Sequence, residues 1–492
     1  MSRVTDDPTE PEDRRKYGKS AAETPAEASI LDSADEEDLE DMALGEDYAL
    51  TPEFVSMVVD AADRADADRL RELLDALHPA DVADLMGFLS PDYREAVLAH
   101  VAPEALAEIL SELDTEIRED VLDAVAPATL AKALEELDSD DAADVVDDLE
   151  ADKRAQVLAA MPEVERVAIE TSLAYEDETA GRLMQREVVA APQFWTVGQA
   201  IDHVRRDTDD LPELFFDIYV IDPSFKPVGA VSVSLLLRTP RSVPLAQIME
   251  PVTEIAIDLD QEEVAYIFDK YHLISAPVVE PGGRLVGQIT VDDIVGVIHE
   301  ESEEDILALA GVSDAGRNAD VMDMIRSRLP WLLINTVTAA LAVSVIKAFE
   351  AEIAKVVTLA VLMPIVASLG GNAGTQSLAV AVRALAAREL SAVNAVRTIG
   401  REMWVGLMNG TALALITGTA VYFLFRDLRL ALAFGIALII NLFVAALAGV
   451  LAPLMLERMG RDPAVSSSVF VTFVTDFTGF FAFLGLAALI LL

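Results

Sequence analysis

Apolar residues follow two different patterns along the chain. From about residue 52, short apolar stripes at helical spacing alternate with acidic residues. From residue 329 onward, five nearly charge-free runs succeed one another, and each approaches or exceeds the roughly 20 apolar residues that span a bilayer. We therefore predict a soluble N-terminal part and a five-helix transmembrane domain, residues 329–492. The runs are Leu329–Ile346, Val356–Val382, Met403–Phe425, Leu430–Leu456 and Pro463–Leu492, the last containing one charge, Asp476.

An internal repeat organises the first soluble domain. Pro79, Pro103 and Pro127 are spaced by 24 residues, and a leucine follows each proline at the same distance. Each unit has room for two short helices, and proline suits the first turn of a helix. One such pair cannot bury its apolar stripe, whereas stacked pairs can, so we predict a small α-solenoid, the N domain, over residues 52–183. Residues 1–51, rich in Asp, Glu, Ser and Pro, are predicted to be a disordered acidic tail.

Strand-like segments replace the helical pattern after Met184. The runs FFDIYVID, SAPVVE and RLVGQITVDD are β-rich and bounded by Pro or Gly, whereas QEEVAYIFDKYHL has helical spacing. A helix, a strand, a turn and a second strand in this order resemble a CBS domain, a regulatory module used in pairs. We predict tandem α+β CBS domains at residues 184–245 and 246–304, then a connecting helix region at residues 305–328.

The charge distribution restricts the classes of partner. The 492 residues include 85 acidic and 36 basic side chains, a net charge of −49. Residues 326–492 contain 12 Lys/Arg and 8 Asp/Glu, so the first 325 residues hold 24 basic and 77 acidic side chains. Such acidity argues against nucleic acid, because phosphate binding needs a basic surface. It favours cation binding, or a salty cytoplasm that screens dense surface charge. The absence of Cys excludes disulfides, thiolate metal sites and thiol catalysis.

Basic residues near the ends of the spans predict their orientation. Six arginines fall near the loops after the second and fourth spans, and three basic residues fall on the opposite side. We predict a multi-pass plasma-membrane protein with cytoplasmic N-terminal domains and its C-terminus outside; the polar first 50 residues contain no signal peptide. The six are Arg383, Arg388, Arg397, Arg401, Arg458 and Arg461; the three are Lys355, Arg426 and Arg429.

The second span contains the string MPIVASLGGNAGTQSLA, in which one proline and three glycines lie within a predicted helix. Two interpretations stay open. The helix is interrupted and its freed carbonyls line a cavity, or the small residues form a close contact between helices. Asn372 and Gln376, four residues apart, lie on one helical face.

Asp476 lies within the fifth span, in VFVTFVTDFTGFFAF. A carboxylate at mid-membrane costs a few kcal/mol and is a functional candidate; the alternative is a protonated carboxyl that packs helices. Thr472, Thr475 and Gly479 share or flank its face. Such oxygen-rich surroundings suit hard cations such as Mg²⁺ and Ca²⁺. The runs contain no Lys or Arg, so an anion pathway has no counter-charge. No nucleophile–base set or phosphate loop is present, and we do not expect an enzyme.

Together these features resemble the MgtE-type magnesium transporter family over nearly the whole chain past residue 50. The domain order matches, as do the junction TSLAYEDETAGRLM, the string ITVDDIVGVIHEESEEDILALAGV, GGNAGTQ at 370–376 and TDFTG at 475–479. The resemblance implies a homodimeric, Mg²⁺-selective channel in the lipid bilayer with its pore on the dimer axis. Mg²⁺ would be both the transported and the regulatory ion, and ATP, an adenine nucleotide, is a candidate ligand of the CBS pair.

The resemblance also implies the residues of the ion pathway. Asp476, paired across the dimer axis, would form the central ion site, and backbone carbonyls near Gly370–Asn372 would help to hold the hydrated ion. Because Mg²⁺ gives up its water reluctantly, a pore that holds the ion through its water shell avoids dehydration. The candidate pore residues are Asp476, Gly370, Gly371, Asn372, Gln376, Thr472 and Thr475.

The resemblance also implies a regulatory role for the acidic cytosolic domains. Acidic surfaces repel one another, and divalent ions that bridge the N and CBS domains would draw them together and pull on the connecting helix near Val321–Ser327. In the family this closes the pore when internal Mg²⁺ is high. The carried-over ligands are Asp140, Asp144, Asp260, Glu262, Asp293, Glu301, Glu304 and Asp305.

This chain departs from the family pattern at two positions, and two alternative functions stay open. His272 and Gly296 stand where the family often has Asp, so some regulatory sites should be weaker. One alternative is a CBS-regulated secondary transporter of another divalent cation, such as Co²⁺ or Ni²⁺, or a proton-coupled exporter with Asp476 as proton relay. The other is a sensor whose spans act only as an anchor.

Overall fold

The computed structural model describes two units of the chain, Met1–Tyr175 and Glu176–Leu492. The described residues are 39, 42–45, 48–206, 211–212, 214–310, 312, 321–386, 388, 390, 395–459 and 467–492. Most of the predicted acidic tail therefore lies outside the described residues.

Paired helices stacked in chain order form the first unit, as the repeat predicts. Proline occupies the first turn of five of the helices described there, where its missing N–H has no helical partner to lose. The helices are α1 (Pro52–Asp63), α2 (Ala67–Asp75), α3 (Pro79–Phe88), α4 (Pro91–Leu98), α5 (Pro103–Glu112), α6 (Thr115–Ala124), α7 (Pro127–Leu134), α8 (Ser139–Asp147), α9 (Ala151–Ala160) and α10 (Glu163–Ser172).

The stacking buries one side of every helix pair. The first helix of each repeat packs on the first helix of the next, so that α3, α5, α7 and α9 follow one another. Leu85, Leu110 and Leu134 on these helices are fully or almost fully buried in one continuous core. The solenoid predicted from the sequence is confirmed, because each repeat completes the apolar core of its neighbour.

The core of this unit begins earlier than the sequence predicted. Leu39, Ala43 and Leu50 are buried in it, although they fall within the predicted disordered tail. The Thr51 hydroxyl donates to the Met42 carbonyl at 2.8 Å and accepts the Phe54 amide at 3.3 Å, which joins this segment to the start of α1. A few apolar residues in an acidic stretch were too sparse to show a pattern.

Two copies of one α+β arrangement begin the second unit. Each has a three-stranded sheet whose first two strands are parallel and whose last two are antiparallel. Both sheets shift register at the matching place, between Val220 and Ile221 and between Val278 and Val279. Their elements, after the short α11 (Ala180–Leu183), are β1 (Ala190–Pro192), α12 (Val197–Val204), β2 (Asp217–Ile221), β3 (Pro227–Ser232) and α13 (Val233–Arg238), then β4 (Ile255–Ala256), α14 (Gln261–Tyr271), β5 (Ser275–Val279), β6 (Leu285–Thr290) and α15 (Val291–Ala310).

The two copies exchange their leading segments. Glu250 ahead of the second copy pairs with Ala230 in β3, and Gln185 ahead of the first pairs with Gln288 in β6. A glycine precedes the paired residue in each strand, and a Cβ on Gly287 would lie 2.5 Å from the Gln185 carbonyl oxygen. Because only glycine allows the backbones to approach this closely, the exchange depends on it.

Long apolar helices complete the second unit. Five helices among the described residues are long and apolar enough to cross a membrane, as predicted. The first continues the connecting segment without a break, since one helix runs from Val321 through Pro330 to Ala348. The helices are α16 (Val321–Ala348), α18 (Thr358–Ala386), α19 (Ala395–Phe425), α20 (Leu428–Arg458) and α21 (Ser467–Leu491), with the short α17 (Glu350–Lys355) after the first.

Replacing Gly287 with alanine should loosen the exchange between the CBS copies. The added methyl group would contact the Gln185 backbone and the Met184 side chain, and overpacking of this kind costs about 1–3 kcal/mol. We expect amide hydrogen exchange in β5 and β6 of the full-length protein to accelerate by roughly tenfold or more. Gly282→Ala is the matched control, because a Cβ there meets no atom within 4 Å. Equal exchange in both variants would contradict the packing role of Gly287.

Candidate functional site

The second membrane helix is continuous through its glycine-rich string. Helix α18 extends from Thr358 to Ala386 across Pro364 and all three glycines. The interrupted helix considered from the sequence is therefore wrong, and the alternative of close packing by small residues is correct. The reason is that glycine lowers helix propensity by only about 1 kcal/mol, which close packing between helices offsets.

Two of these glycines face neighbouring helices. A Cβ on Gly374 would lie 2.5 Å from Val471 Cγ1 and 3.4 Å from Thr475 Cγ2 of α21, and one on Gly370 would collide with Asn441 of α20. Gly371 meets no atom within 4 Å. Within one chain, Gly370 and Gly374 thus contribute to packing, whereas Gly371 borders open space.

Asn372 and Gln376 lie together on the outer face of α18. Both side chains are exposed, and neither amide hydrogen-bonds to any residue that the structure describes. Amides that faced lipid would leave their polar groups unsatisfied. This face of a membrane helix therefore needs water or another polar surface opposite it.

Asp476 is half-buried on α21 and has no partner in the described part of the chain. Its carboxylate forms no hydrogen bond and no ion pair there. The exposed Thr472 lies one turn earlier and donates its hydroxyl to the Ser468 carbonyl at 2.9 Å. Thr475 is fully buried, and its hydroxyl donates to the Thr472 carbonyl at 2.9 Å. Asp476 and Thr472 thus reach the outside of the helix bundle, whereas Thr475 lies inside it.

Asn441 is a polar residue of this region that the sequence interpretation missed. It is fully buried at the middle of α20, and its Nδ2 donates to the Val366 carbonyl of α18 at 2.9 Å. Its only signal in the sequence was an amide within a long apolar run, IALIINLFVAAL.

Four of the predicted regulatory acids lie close together at α14 and α15. Partial burial raises the pKa of Glu262, and the carboxylates of Glu301, Asp260 and Asp305 raise it further. Asp260 caps α14 by accepting the Glu262 amide at 2.9 Å, and Gln261 donates to Glu301 at 2.8 Å. We call Asp260, Glu262, Glu301 and Asp305 the α14–α15 acid cluster. Its members repel one another, which is the electrostatic condition that a cation relieves.

A cation of the protein itself borders this cluster. Arg388, which follows α18, forms an ion pair with Glu263 at 3.1 Å and lies 4.4 Å from the centre of the Tyr266 ring. It also lowers the pKa of Glu262, against the larger effect of burial and the acids. The loop after the second membrane helix is thus in direct contact with the second CBS copy.

The other predicted regulatory residues lie on two helices, α15 and α8. Asp293 accepts the Thr290 hydroxyl at 2.7 Å at the start of α15, and Glu304 lies on the same helix. Asp140, almost fully buried, and Asp144 lie on α8 of the first unit. Among the described residues, no three His, Asp or Glu side chains are close enough to form a complete metal site.

A cleft of about 270 Å³ lies where the two CBS copies meet. Its wall includes Asp217, whose carboxylate accepts the Ser275 hydroxyl at 2.9 Å, and Ser275 accepts the Tyr219 hydroxyl at 2.9 Å. Burial raises the pKa of Asp217, and nearby Glu250 raises it further while the Ser275 bond lowers it. His272, one of the two departures, also lines the cleft.

Three parts of the chain match models of known protein families. The model of the MgtE divalent cation transporter family matches residues 363–486, that of the MgtE intracellular N domain matches 77–178, and that of the CBS domain matches 245–300. The magnesium transporter MgtE of Thermus thermophilus is 35% identical over 338 residues, covering 66% of this chain and 73% of that protein. The chain belongs to the MgtE family. This is a family of transporters, not of enzymes.

Other MgtE relatives agree with this assignment. The magnesium transporter MgtE of Enterococcus faecalis is 34% identical over 65% of this chain and 71% of its own length. Two solved structures are similar to part of this chain. The soluble part of a magnesium transporter is 28% identical over 51% of this chain and 98% of that one, with a TM-score of 0.46. The cytosolic domain of the Mg²⁺ channel MgtE in complex with ATP is 33% identical over 49% of this chain and 99% of that one, with a TM-score of 0.47. The MgtE match at 363–486 includes both GGNAGTQ and TDFTG.

Neutralising Glu262 should stabilise the metal-free protein. The pKa of Glu262 is raised in the folded state, so folding disfavours its charged form. The resulting loss of folding stability is complete at a pH above the raised pKa and is absent at a pH below the pKa of the unfolded chain. We expect Glu262→Gln to raise the apparent melting temperature of the full-length protein in chelator at neutral pH, and the gain to vanish near about pH 4. Glu303→Gln on the exposed side of α15 is the control. A gain that persists at low pH would contradict the electrostatic cause.

Proposed function

We propose that the chain is a Mg²⁺-selective channel or transporter of the plasma membrane that works as a homodimer and is regulated by cytosolic Mg²⁺. Membership of the MgtE family supports the transport of a divalent cation. The observation that carries the proposal is the Asp476 carboxylate, which lies in a membrane helix without a hydrogen bond or ion pair to any described residue. An unpaired carboxylate at that depth is costly, and a passing cation supplies the missing charge.

A second copy of the chain would enclose the ion pathway. Asn372, Gln376, Thr472 and Asp476 are not enclosed by the described residues of a single chain, since all four are exposed or half-buried. A two-fold axis beside this face would place the same polar side chains on both sides of a water-filled passage. Two Asp476 carboxylates across the axis would balance the charge of one divalent ion.

The ion would pass with its water shell. Mg²⁺ dehydrates reluctantly and prefers octahedral oxygen ligands. The carbonyls near Gly370–Asn372 belong to a continuous helix, and the Gly371 carbonyl also accepts the Thr375 hydroxyl at 3.0 Å. Gly371 would therefore act through its missing side chain, which leaves room for a hydrated ion, while Asn372 and Gln376 contact the outer water.

The packing of α15 supports the predicted orientation. Ala308 near its end lies in one buried apolar cluster with Val382 near the end of α18, Ala452 near the end of α20 and Val471 near the start of α21, so these helix ends lie on the CBS side. The arginine-rich flanks at these ends favour the cytoplasm. Helix α21 starts on this side and runs away from it, which would place the C-terminus outside.

Regulation would act through the α14–α15 acid cluster, and a role of Asp140 and Asp144 on α8 is a separate proposal. The acids of the cluster repel one another in the absence of metal, so binding of Mg²⁺ there would lower their electrostatic energy. A ligand shifts an equilibrium only by its differential affinity for two states, so the closed state would be the one in which these carboxylates share the ion. Asp293, Glu304 and the adenine nucleotide at the cleft stay further proposals. The described cleft wall has no Lys or Arg, so it would hold a nucleoside better than its phosphates.

Asp476→Asn should abolish most Mg²⁺ flux and leave the protein folded. The substitution keeps the size of the side chain and removes its charge. We expect at least a tenfold loss of Mg²⁺ uptake into reconstituted liposomes, at equal incorporation. Glu350→Gln is a matched carboxylate-to-amide control outside the proposed pathway. Wild-type uptake by Asp476→Asn would refute the ion-pathway assignment, and uptake that required a proton gradient would favour the coupled transporter instead.

Neutralising three acids of the cluster should make the channel insensitive to internal Mg²⁺. For Glu262→Gln, Glu301→Gln and Asp305→Asn together, we expect the internal Mg²⁺ needed for half-closure to rise several-fold or more. Asp269→Asn, Asp292→Asn and Glu303→Gln on the same two helices form the control set. Loss of repulsion alone would instead favour closure without Mg²⁺, so a variant closed in chelator would overturn the regulatory site.

A further inference from the structure

The Asn441 amide occupies a gap that two other helices leave for it. A Cβ on Gly370 of α18 would collide with its Nδ2, and a Cβ on Gly479 of α21 would lie 2.8 Å from the same atom. These two glycines belong to GGNAGTQ and TDFTG, the two strings that carry the candidate ion-pathway residues. One buried side chain of α20 thus contacts both strings.

The hydrogen bonds of Asn441 are incomplete. Its Nδ2 donates to the Val366 carbonyl at 2.9 Å, but its buried Oδ1 accepts no hydrogen bond from any described residue. An unsatisfied buried polar atom costs about 1–3 kcal/mol. A leucine has the same number of side-chain heavy atoms in the same branched arrangement and would carry no such cost, so filling space is a poor reason for an amide at this position.

We propose that Asn441 is a positioning residue of the ion pathway. Its amide holds the turn of α18 that precedes Asn372 and the turn of α21 that follows Asp476 in one register. The polar bond to Val366 fixes the height of the amide along α18, and Gly479 fixes it along α21. Asn441 does not touch the ion. It sets the separation between the Asp476 carboxylate and the Asn372 amide, and this inference rests on the proposed function of those two residues.

The register matters because the ion is recognised through water. Selective binding groups must hold their geometry within about 0.5 Å, and rigid helices hold it better than loops. Contacts between apolar side chains and small residues are non-directional, whereas a hydrogen bond fixes the position of one atom against another. A directional amide bond at the crossing point prevents sliding, and Asp476 lies one turn from that point.

Removal of the amide should alter ion selectivity rather than abolish transport. For Asn441→Ala in proteoliposomes, we expect the ratio of Mg²⁺ to Ca²⁺ flux to fall at least fivefold. Loss of folded protein alone would lower both fluxes together and leave the ratio unchanged. Gly479→Ala should change the ratio as well, because its methyl group displaces the amide. Gly485→Ala on the same helix is the matched control, since a Cβ there meets no atom within 4 Å.

The decisive variant combines Gly479→Ala with Asn441→Ala. The methyl group then enters space that the amide has left, so we expect the double variant to transport more Mg²⁺ than Gly479→Ala alone. Additive losses in the double variant, or a wild-type flux ratio in folded Asn441→Ala, would overturn the proposal. If Asn441→Ala fails to fold, two other variants test the proposal. Asn441→Asp must keep the wild-type ratio of Mg²⁺ to Ca²⁺ flux, because its protonated form can still donate to the Val366 carbonyl. Asn441→Leu must change that ratio.

The outcomes separate this inference from the proposed function. Loss of all divalent flux in Asp476→Asn, with an unchanged flux ratio in Asn441→Ala, removes only the positioning role. Full flux in Asp476→Asn removes the ion pathway itself, and the positioning role with it.

Discussion

A carboxylate inside a membrane is costly unless a counter-charge or a proton neutralises it, and Asp476 places this constraint on the membrane domain. Asp476 lacks a partner in the described part of its own chain, although the same chain provides partners for many exposed acids. In the proposed function, a passing cation supplies the missing partner. The exposed amides of Asn372 and Gln376 follow the same logic, because water is the partner that lipid cannot supply.

The acids of the N domain and the CBS copies differ in their surroundings despite their similar appearance in the sequence. Some satisfy the backbone or pair with arginine: Asp293 accepts the Thr290 hydroxyl, and Asp120 pairs with the buried Arg94 at 2.8 Å. Glu262 has different surroundings, because burial raises its pKa and the carboxylates of Glu301, Asp260 and Asp305 raise it further. A divalent cation beside Glu262 would relieve this cost, as the proposed regulation requires, so net charge alone does not locate a regulatory site.

Periodicity predicted the elements of this protein better than it predicted their contacts. The 24-residue repeat, the paired CBS copies and the five spans each follow from a pattern over many residues, and the structure confirms them. The continuity of α18 could not be predicted, because glycine both weakens a helix and permits close packing, and only the neighbouring Asn441 and Val471 show which effect prevails. Asn441 itself was missed because a single amide has no period, and Leu39 because a few apolar residues in an acidic stretch form no pattern.

The α14–α15 acid cluster and the candidate ion pathway are joined by short physical connections. Helix α18 carries Asn372 and Gln376 and ends at Ala386, two residues before Arg388. Arg388 pairs with Glu263 beside the cluster, and α15, which carries Glu301 and Asp305, packs its last turn on α18, α20 and α21. In the proposed regulation, a cation that enters the cluster would compete with Arg388 for the same negative potential. The resulting shift at the end of α18 would then reach Asn372 and Gln376 along a helix that is continuous from Thr358 to Ala386.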